Sequence, residues 1–261
     1  MSFAAVMASA REREGGGMEL TVPDSWLQGR TAYGGLSAAL ALNAAKRIDP
    51  QLPPLRSAQI AFVGPVSGRV AVAPRLLRSG RNATWIAVEV TGEAGCGLVA
   101  TFVFMHALAS ETCVEPVGAP PNLVPPGQAK PVVGLERPAF LQHHFETRFA
   151  LPKKEVKEPD VCLWARLLDR AGMDTETELM LVGDALPPAV VPVMPQRGPV
   201  SSMTWQINLF AAPVRAVGEG WWLLRSRADE ARAGTSSQQM MLWDEGGNAC
   251  AAGTQTVAIF A

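Results

Sequence analysis

Asp184 stands in the apolar run Leu181-Val182-Gly183-Asp184-Ala185-Leu186, at the end of a helical pattern. Burial there raises a carboxylate's pKa toward neutrality, and the C-terminal end of a helix dipole disfavours its charge. A carboxylate so placed suits a proton acceptor, with a solvated helix-end charge as the plain alternative. Gln255 lies in a strand pattern beside Ala251, Ala252 and Val257. Its amide can accept from water and donate to an oxyanion; a place on a solvent face is the alternative. Thr204, Gln206 and Asn208 share one face of a strand by alternation, either as a pocket lining or as an outer side. Tyr33-Gly34-Gly35 opens an Ala-rich helical stretch. Paired glycines let another group come close to the unpaired N–H groups of a first helical turn, which could hold a carbonyl oxygen gaining negative charge. Eased helix–sheet packing is the alternative.

These residues need elements to hold them. Ser37 to Arg47 has almost no polar face and reads as a helix buried nearly all round, ended by Asp49-Pro50. Strand patterns follow at Leu55 to Val63, Val70 to Ser79, Ala83 to Val90 and Leu98 to His106. Glu115 to Pro138 is proline-rich and reads as a linker. Phe140 to Phe149 and Val161 to Leu168 are strand-like. Asp174 to Ala185 is helical, with Asp174 or Thr175 as cap and Pro187-Pro188 as stop. Strands are predicted again at Ser202 to Phe210, Trp221 to Ala228, Gln238 to Trp243 and Ala249 to Phe260.

The order strand, helix, strand meander thus occurs twice. Phe62-Val63-Gly64-Pro65-Val66 parallels Phe210-Ala211-Ala212-Pro213-Val214, and Leu76-Leu77-Arg78-Ser79 parallels Leu223-Leu224-Arg225-Ser226. Matching the final strands through Ala100 and Ala251 puts Phe104 where Gln255 stands. A period this long means a duplicated domain. Domains are therefore expected at 1–112 and 139–261, joined by the linker at 113–138. One helix covers one face of one sheet, so two such units would join edge to edge with their helices inside a common shell.

The 261 residues are 48% hydrophobic and 18% charged, a globular balance. A net charge of −1 without a Lys/Arg tract argues against nucleic acid as a partner. No apolar run reaches membrane-spanning length, and the N-terminus has no signal-peptide pattern, so the expected location is cytoplasmic. Cys96, Cys113, Cys162 and Cys250 are scattered, and no zinc-ligand spacing links His106, His143 and His144. No metal or other cofactor is expected. Ser201-Ser202 and Ser236-Ser237 lack a nucleophile-elbow motif.

The chain resembles the acyl-CoA thioesterase II family and its thioesterase-like relatives. Tyr33-Gly34-Gly35 sits where that family places Phe/His-Gly-Gly. Phe62 to Val66 resembles its FLRPG segment, Arg78 to Asn82 its RDGxS turn, Leu181 to Pro188 its LLADALPP helix end, and Ala251 to Gln255 its AxxxQ strand. The likeness runs roughly from Met18 to Phe260. It implies an α+β double hotdog, two long antiparallel sheets each wrapped around a central helix. It also implies hydrolysis of an acyl-CoA to free acid and CoA by an oriented water, in fatty acid metabolism. An Asp, a Thr or Ser, and a Gln of the second half hold that water; Asp184, Thr204 and Gln255 match them. Tyr33, Gly34, Gly35 and Asn208 would then contact substrate. A hotdog protein that binds an acyl thioester without turnover is the main alternative. An enoyl-CoA hydratase on the same fold would want an Asp/His pair on one hotdog helix, and neither helix has a histidine. Association into a homo-oligomer is left open.

Overall fold

The computed structural model describes residues 1–134, 137–153, 155–196, 198–210 and 218–260. The first half contains α1 (Phe3–Ala8), β1 (Arg11–Glu12), β2 (Met18–Thr21), β3 (Leu27–Gln28), β4 (Thr31–Ala32) and α2 (Gly34–Lys46), then β5 (Leu55–Phe62), β6 (Arg69–Ser79), β7 (Ala83–Gly92) and β8 (Gly95–Met105). The second contains α3 (Ala139–His144), β9 (Phe145–Phe149), β10 (Asp160–Leu167), α4 (Thr175–Gly183), β11 (Val200–Leu209), β12 (Trp222–Arg232), β13 (Thr235–Asp244) and β14 (Ala249–Ile259). The two central helices fall where the apolar patterns and caps put them. Asp174 caps α4 by accepting from the Thr177 N–H, the ordinary way to satisfy a first-turn donor.

The expected pair of sheets is a single sheet. Twelve strands run in the order β1-β2-β6-β7-β8-β5-β11-β14-β13-β12-β10-β9, and β3-β4 form a separate hairpin. The seam is β5 against β11, with Thr204 opposite Ala61 and Asn208 opposite Ser57. Left apart, those two strands would be long edges with open rows of N–H and C=O groups; pairing them removes both edges.

α2 and α4 pack on each other; α2 also meets β6, β7 and β8, and α4 meets β10. Alanines at 38, 39, 41, 44 and 45 are fully buried and keep the helix surface low enough for close approach. The helices run antiparallel, as their cross-links require. The Tyr33 hydroxyl near the start of α2 donates to the Leu181 carbonyl near the end of α4 at 2.7 Å. Asn43 Nδ2 donates to Thr177 Oγ1 at 3.2 Å, and Lys46 pairs with Asp174 at 2.9 Å and Glu176 at 2.6 Å.

Three expectations change. Residues 140–149 are not one strand: a short helix, α3, occupies 139–144 and Pro138 is its N-cap. The proline-rich stretch is not a free tether. It lies over a small apolar cluster that includes Trp164, Trp221, Leu223 and Trp243, packed by Leu123 and Val124. Trp164 and Trp243 donate their indole N–H groups to the carbonyls of Val124 and Val117, at 2.8 and 3.0 Å. This cover explains why β10 is buried continuously from Val161 to Ala165 instead of alternating.

The third change concerns the duplicate register. Bulges mark both halves at matching places: between Leu76 and Arg78 on β6 as between Ala228 and Glu230 on β12, and between Leu55 and Ser57 on β5 as between Ser202 and Thr204 on β11. Ile86 pairs with Phe102 as Gln238 pairs with Gln255. Phe102, not Phe104, is therefore the counterpart of Gln255. The match of Leu76–Ser79 to Leu223–Ser226 is out of register, since Val72 opposes Val90 as Leu224 opposes Leu242. Of the second matched segment, Ala211 to Val214 lies outside the described residues. No helix among the described residues is long and apolar enough to cross a membrane.

Candidate active site

Because α2 and α4 are antiparallel, the start of one meets the end of the other. Asp184 is the C-cap of α4, and Tyr33 is the N-cap of α2. The Gly35 backbone N–H donates to the Asp184 carboxylate. A Cβ on Gly34 would lie 2.5 Å from Asp184 Oδ2, and a Cβ on Gly35 would lie 2.8 Å from the Leu181 carbonyl oxygen. The glycine pair thus makes room for the end of α4 and its carboxylate, and at Gly34 also for the Phe62 ring of β5, 3.0 Å from the same Cβ position. The positive end of the α2 dipole supports the charge that the end of α4 opposes.

Gln255, on β14, reaches the same carboxylate. Its Nε2 donates to Asp184 Oδ1 at 2.9 Å and to Ser202 Oγ at 2.9 Å. Desolvation pushes the Asp184 carboxyl up to about 7, against the hydrogen bonds from Gln255 and Gly35 that favour its charged form. A carboxyl at that value exchanges a proton readily near neutral pH. The Gln255 carbonyl oxygen faces away from this cluster and accepts from Gln238 Nε2 at 2.7 Å. The Gln255 oxygen, expected to accept from water, is instead taken up by Gln238.

Asp184, Ser202, Gln255 and Gly34 line one cavity of about 510 Å³. Phe62, Val66, Phe140 and Leu163 give it apolar wall, and Arg30 and Arg137 edge it. Such a cavity, mostly apolar with a few convergent polar groups, fits a small organic ligand.

Two predicted residues are elsewhere. Thr204 is exposed on the outer face of β11. The bulge at Met203 reverses the inside–outside parity of the strand. Trp205, Ile207 and Leu209 point inward beyond it, and Ser202 reaches Gln255 before it. The hydroxyl in the cluster is Ser202. Asn208 is also outward-facing and accepts from Ser57 Oγ at 2.9 Å, so the stripe of Thr204, Gln206 and Asn208 is a solvent side.

Tyr33 and Gly35 stand behind the cavity wall. Tyr33 is fully buried, and its ring stacks on Phe140 with centroids 3.9 Å apart. Burial, then the nearby Asp184 charge, raises its hydroxyl pKa well above the usual value, so it remains a donor. It braces the helix pair and does not line the cavity.

Ser25 Oγ lies 3.0 Å from His144 Nε2, but that imidazole is stacked on Trp26 and neither residue lines the cavity. Gln238 was not singled out in the sequence. Its signal was present: it shares a strand face with Met240 and Leu242, and that face is buried.

A second cavity, of about 460 Å³, lies at the other end of the helix pair beside Lys46, Phe104, Asp174 and Glu176. At the duplicate positions of Ser202, Gln238 and Gln255 stand Leu55, Ile86 and Phe102. The polar cluster is built once.

Residues 22–105 match the family described as acyl-CoA thioesterase N-terminal domain, and residues 116–259 match acyl-CoA thioesterase C-terminal domain. Among solved structures, a hot dog fold protein from Alicyclobacillus acidocaldarius is similar with TM-score 0.88 at 21% identity, over 100% of this chain and 99% of its own. The acyl-CoA thioesterase II TesB2 of Mycobacterium marinum is similar with TM-score 0.76 at 18% identity, over 99% of this chain and 96% of its own. The tesB protein of Mycobacterium avium subs paratuberculosis has TM-score 0.76 at 18% identity, over 98% and 99%. At these identities the likenesses establish a hotdog fold. No curated protein sequence matches significantly. The two domain matches, in order and together spanning most of the sequence, establish that the chain belongs to the acyl-CoA thioesterase family.

Proposed function

We propose that this protein hydrolyses an acyl-CoA thioester to a free acid and CoA at the Asp184–Gln255–Ser202 cluster. The observation that carries the reading is a carboxyl near neutrality, held by Gln255 and the Gly35 N–H at the wall of an apolar cavity. A water bound to Asp184 gives it a proton while its oxygen attacks the thioester carbonyl carbon. The oxyanion of the tetrahedral intermediate is met by the first-turn Gly34 N–H and the Ser202 hydroxyl. The intermediate collapses by breaking the C–S bond, and the sulfur leaves with the proton that Asp184 took. Asp184 ends as it began.

Binding without turnover would be the better reading if no hydroxyl stood beside the carboxylate. Ser202 beside Gln255 supports hydrolysis instead. The test is a panel of short, medium, long, branched and aromatic acyl-CoAs, with released thiol as the readout. Saturable release with at least one acyl group is expected. Tight binding of an acyl-CoA with no release would overturn hydrolysis in favour of a binding protein.

A further inference from the structure

Gln238 is buried on β13, directly across the ladder from Gln255 on β14, and it does not line the cavity. A glutamine in an apolar interior needs partners for both ends of its amide. It has them. Gln238 Oε1 accepts the Ala189 backbone N–H at 2.7 Å, and Gln238 Nε2 donates to Gln255 Oε1 at 2.7 Å. The polarity of this chain has one solution. A backbone N–H only donates, so Gln238 must present its oxygen to Ala189 and its NH₂ to Gln255. Gln255 must then present its oxygen to Gln238 and its NH₂ to the cavity.

We propose that Gln238, anchored by the Ala189 N–H, is a positioning residue that fixes the Gln255 amide with both of its N–H donors aimed at Asp184 and Ser202. Gln255 alone has no such preference built in. Turned by 180°, its amide would put an oxygen against the Asp184 carboxylate and leave Ser202 without its donor. Ser202 Oγ, accepting from Gln255, keeps its own hydrogen for the cavity. The direction of one backbone N–H, outside the cavity, thereby sets which groups inside it donate. Sheet packing does not require a glutamine here, because Ile86 fills the duplicate position in the first half.

The inference rests on the hydrolytic reading only for its effect on rate; its effect on Asp184 is independent of turnover. Gln238→Met and Gln238→Ile both remove the amide, one keeping its length and the other copying Ile86. The Asp184 carboxyl is titrated by ¹³C NMR in the full chain, assigned by its loss in Asp184→Asn. Hydrolysis of the best acyl-CoA is followed against pH alongside. The amide of Gln255 is then free to turn, so the Asp184 midpoint should rise by about one pH unit, the scale of one lost hydrogen bond to a carboxylate. The rising, low-pH limb of kcat should move up with it, kcat at about pH 7 should fall roughly fivefold, and KM should stay within about twofold. A purely structural glutamine would lower Tm in both variants and leave the Asp184 midpoint in place. A parent-like midpoint in either folded variant overturns the proposal. A shifted midpoint in a protein that hydrolyses no acyl-CoA supports the positioning role and overturns the hydrolytic reading alone.

Discussion

Ser202 and Thr204 are two residues apart on one strand, yet they face opposite sides of the sheet. Regular alternation would put both on the same side. The bulge that takes up Met203 separates them, so Ser202 accepts from Gln255 inside while Thr204 stands outside. A bulge beside a candidate active site re-aims one side chain without disturbing the pairing on either side of it.

This gives a paired test of the hydroxyl. Ser202→Ala should lower kcat by roughly 10²-fold, the scale for one oxyanion donor. Thr204→Val, on the outer face, should change kcat by less than about twofold and Tm by little. Steady-state kinetics on both variants measures this. The reverse ranking would return the role to Thr204.

The second prediction concerns pH. Asp184 titrates at about 7 in the folded chain and near its ordinary value when unfolded. Activity should therefore rise with pH through about 7 and then level, and Asp184→Asn should lower kcat by roughly 10²-fold or more on that plateau. Stability has the opposite slope. The folded state favours the protonated form, so this contribution is full below about pH 4 and is lost as pH rises to about 7. It is at most on the order of 4 kcal/mol, less because Asp184 keeps a face open to the cavity. Asp184→Asn removes that titration. Melting at pH 5 and pH 8 should show the variant gaining on the parent by several degrees at the higher pH. Parallel pH dependence of the two Tm values would show that Asp184 titrates normally.

A third prediction follows from the single polar cluster. Leu55, Ile86 and Phe102 replace Ser202, Gln238 and Gln255 in the first half, and α2 ends in Lys46 where α4 ends beside Asp184. The side chains of Leu55, Ile86 and Phe102 offer no group to orient a water or take its proton, the roles proposed for Asp184 and its partners. Lys46, paired with Asp174 and Glu176, occupies that end of the helix pair with an ion-pair group instead. Titration with a nonhydrolysable acyl-CoA analogue, followed by calorimetry, should saturate near one per chain. Two equivalent sites, with turnover surviving loss of Asp184 and Gln255 together, would contradict this.

Both central helices and most strands were legible in the sequence because their signals are local. The Ala-rich run from Ser37 must be buried whatever it packs on, Asp49-Pro50 and Pro187-Pro188 must end their helices, and the repeated order of elements marks a duplication. Asp184 and Gln255 could be singled out because each is a polar residue in an apolar element, an expensive placement unless it is paired. Tertiary structure decided what no local pattern carries. The union of two sheets into one depends on two edge strands meeting, β5 and β11. The exchange of Thr204 for Ser202 depends on a bulge whose one-residue slip reverses every side chain beyond it. Tyr33 and Gly35 became supports rather than lining because antiparallel helices brought the end of α4 against them. The direction of the Gln255 amide was set by the Ala189 N–H acting through Gln238, across a span of sequence that no periodicity connects. Composition and spacing record which groups are buried; only the three-dimensional hydrogen-bond chain records which way each one points.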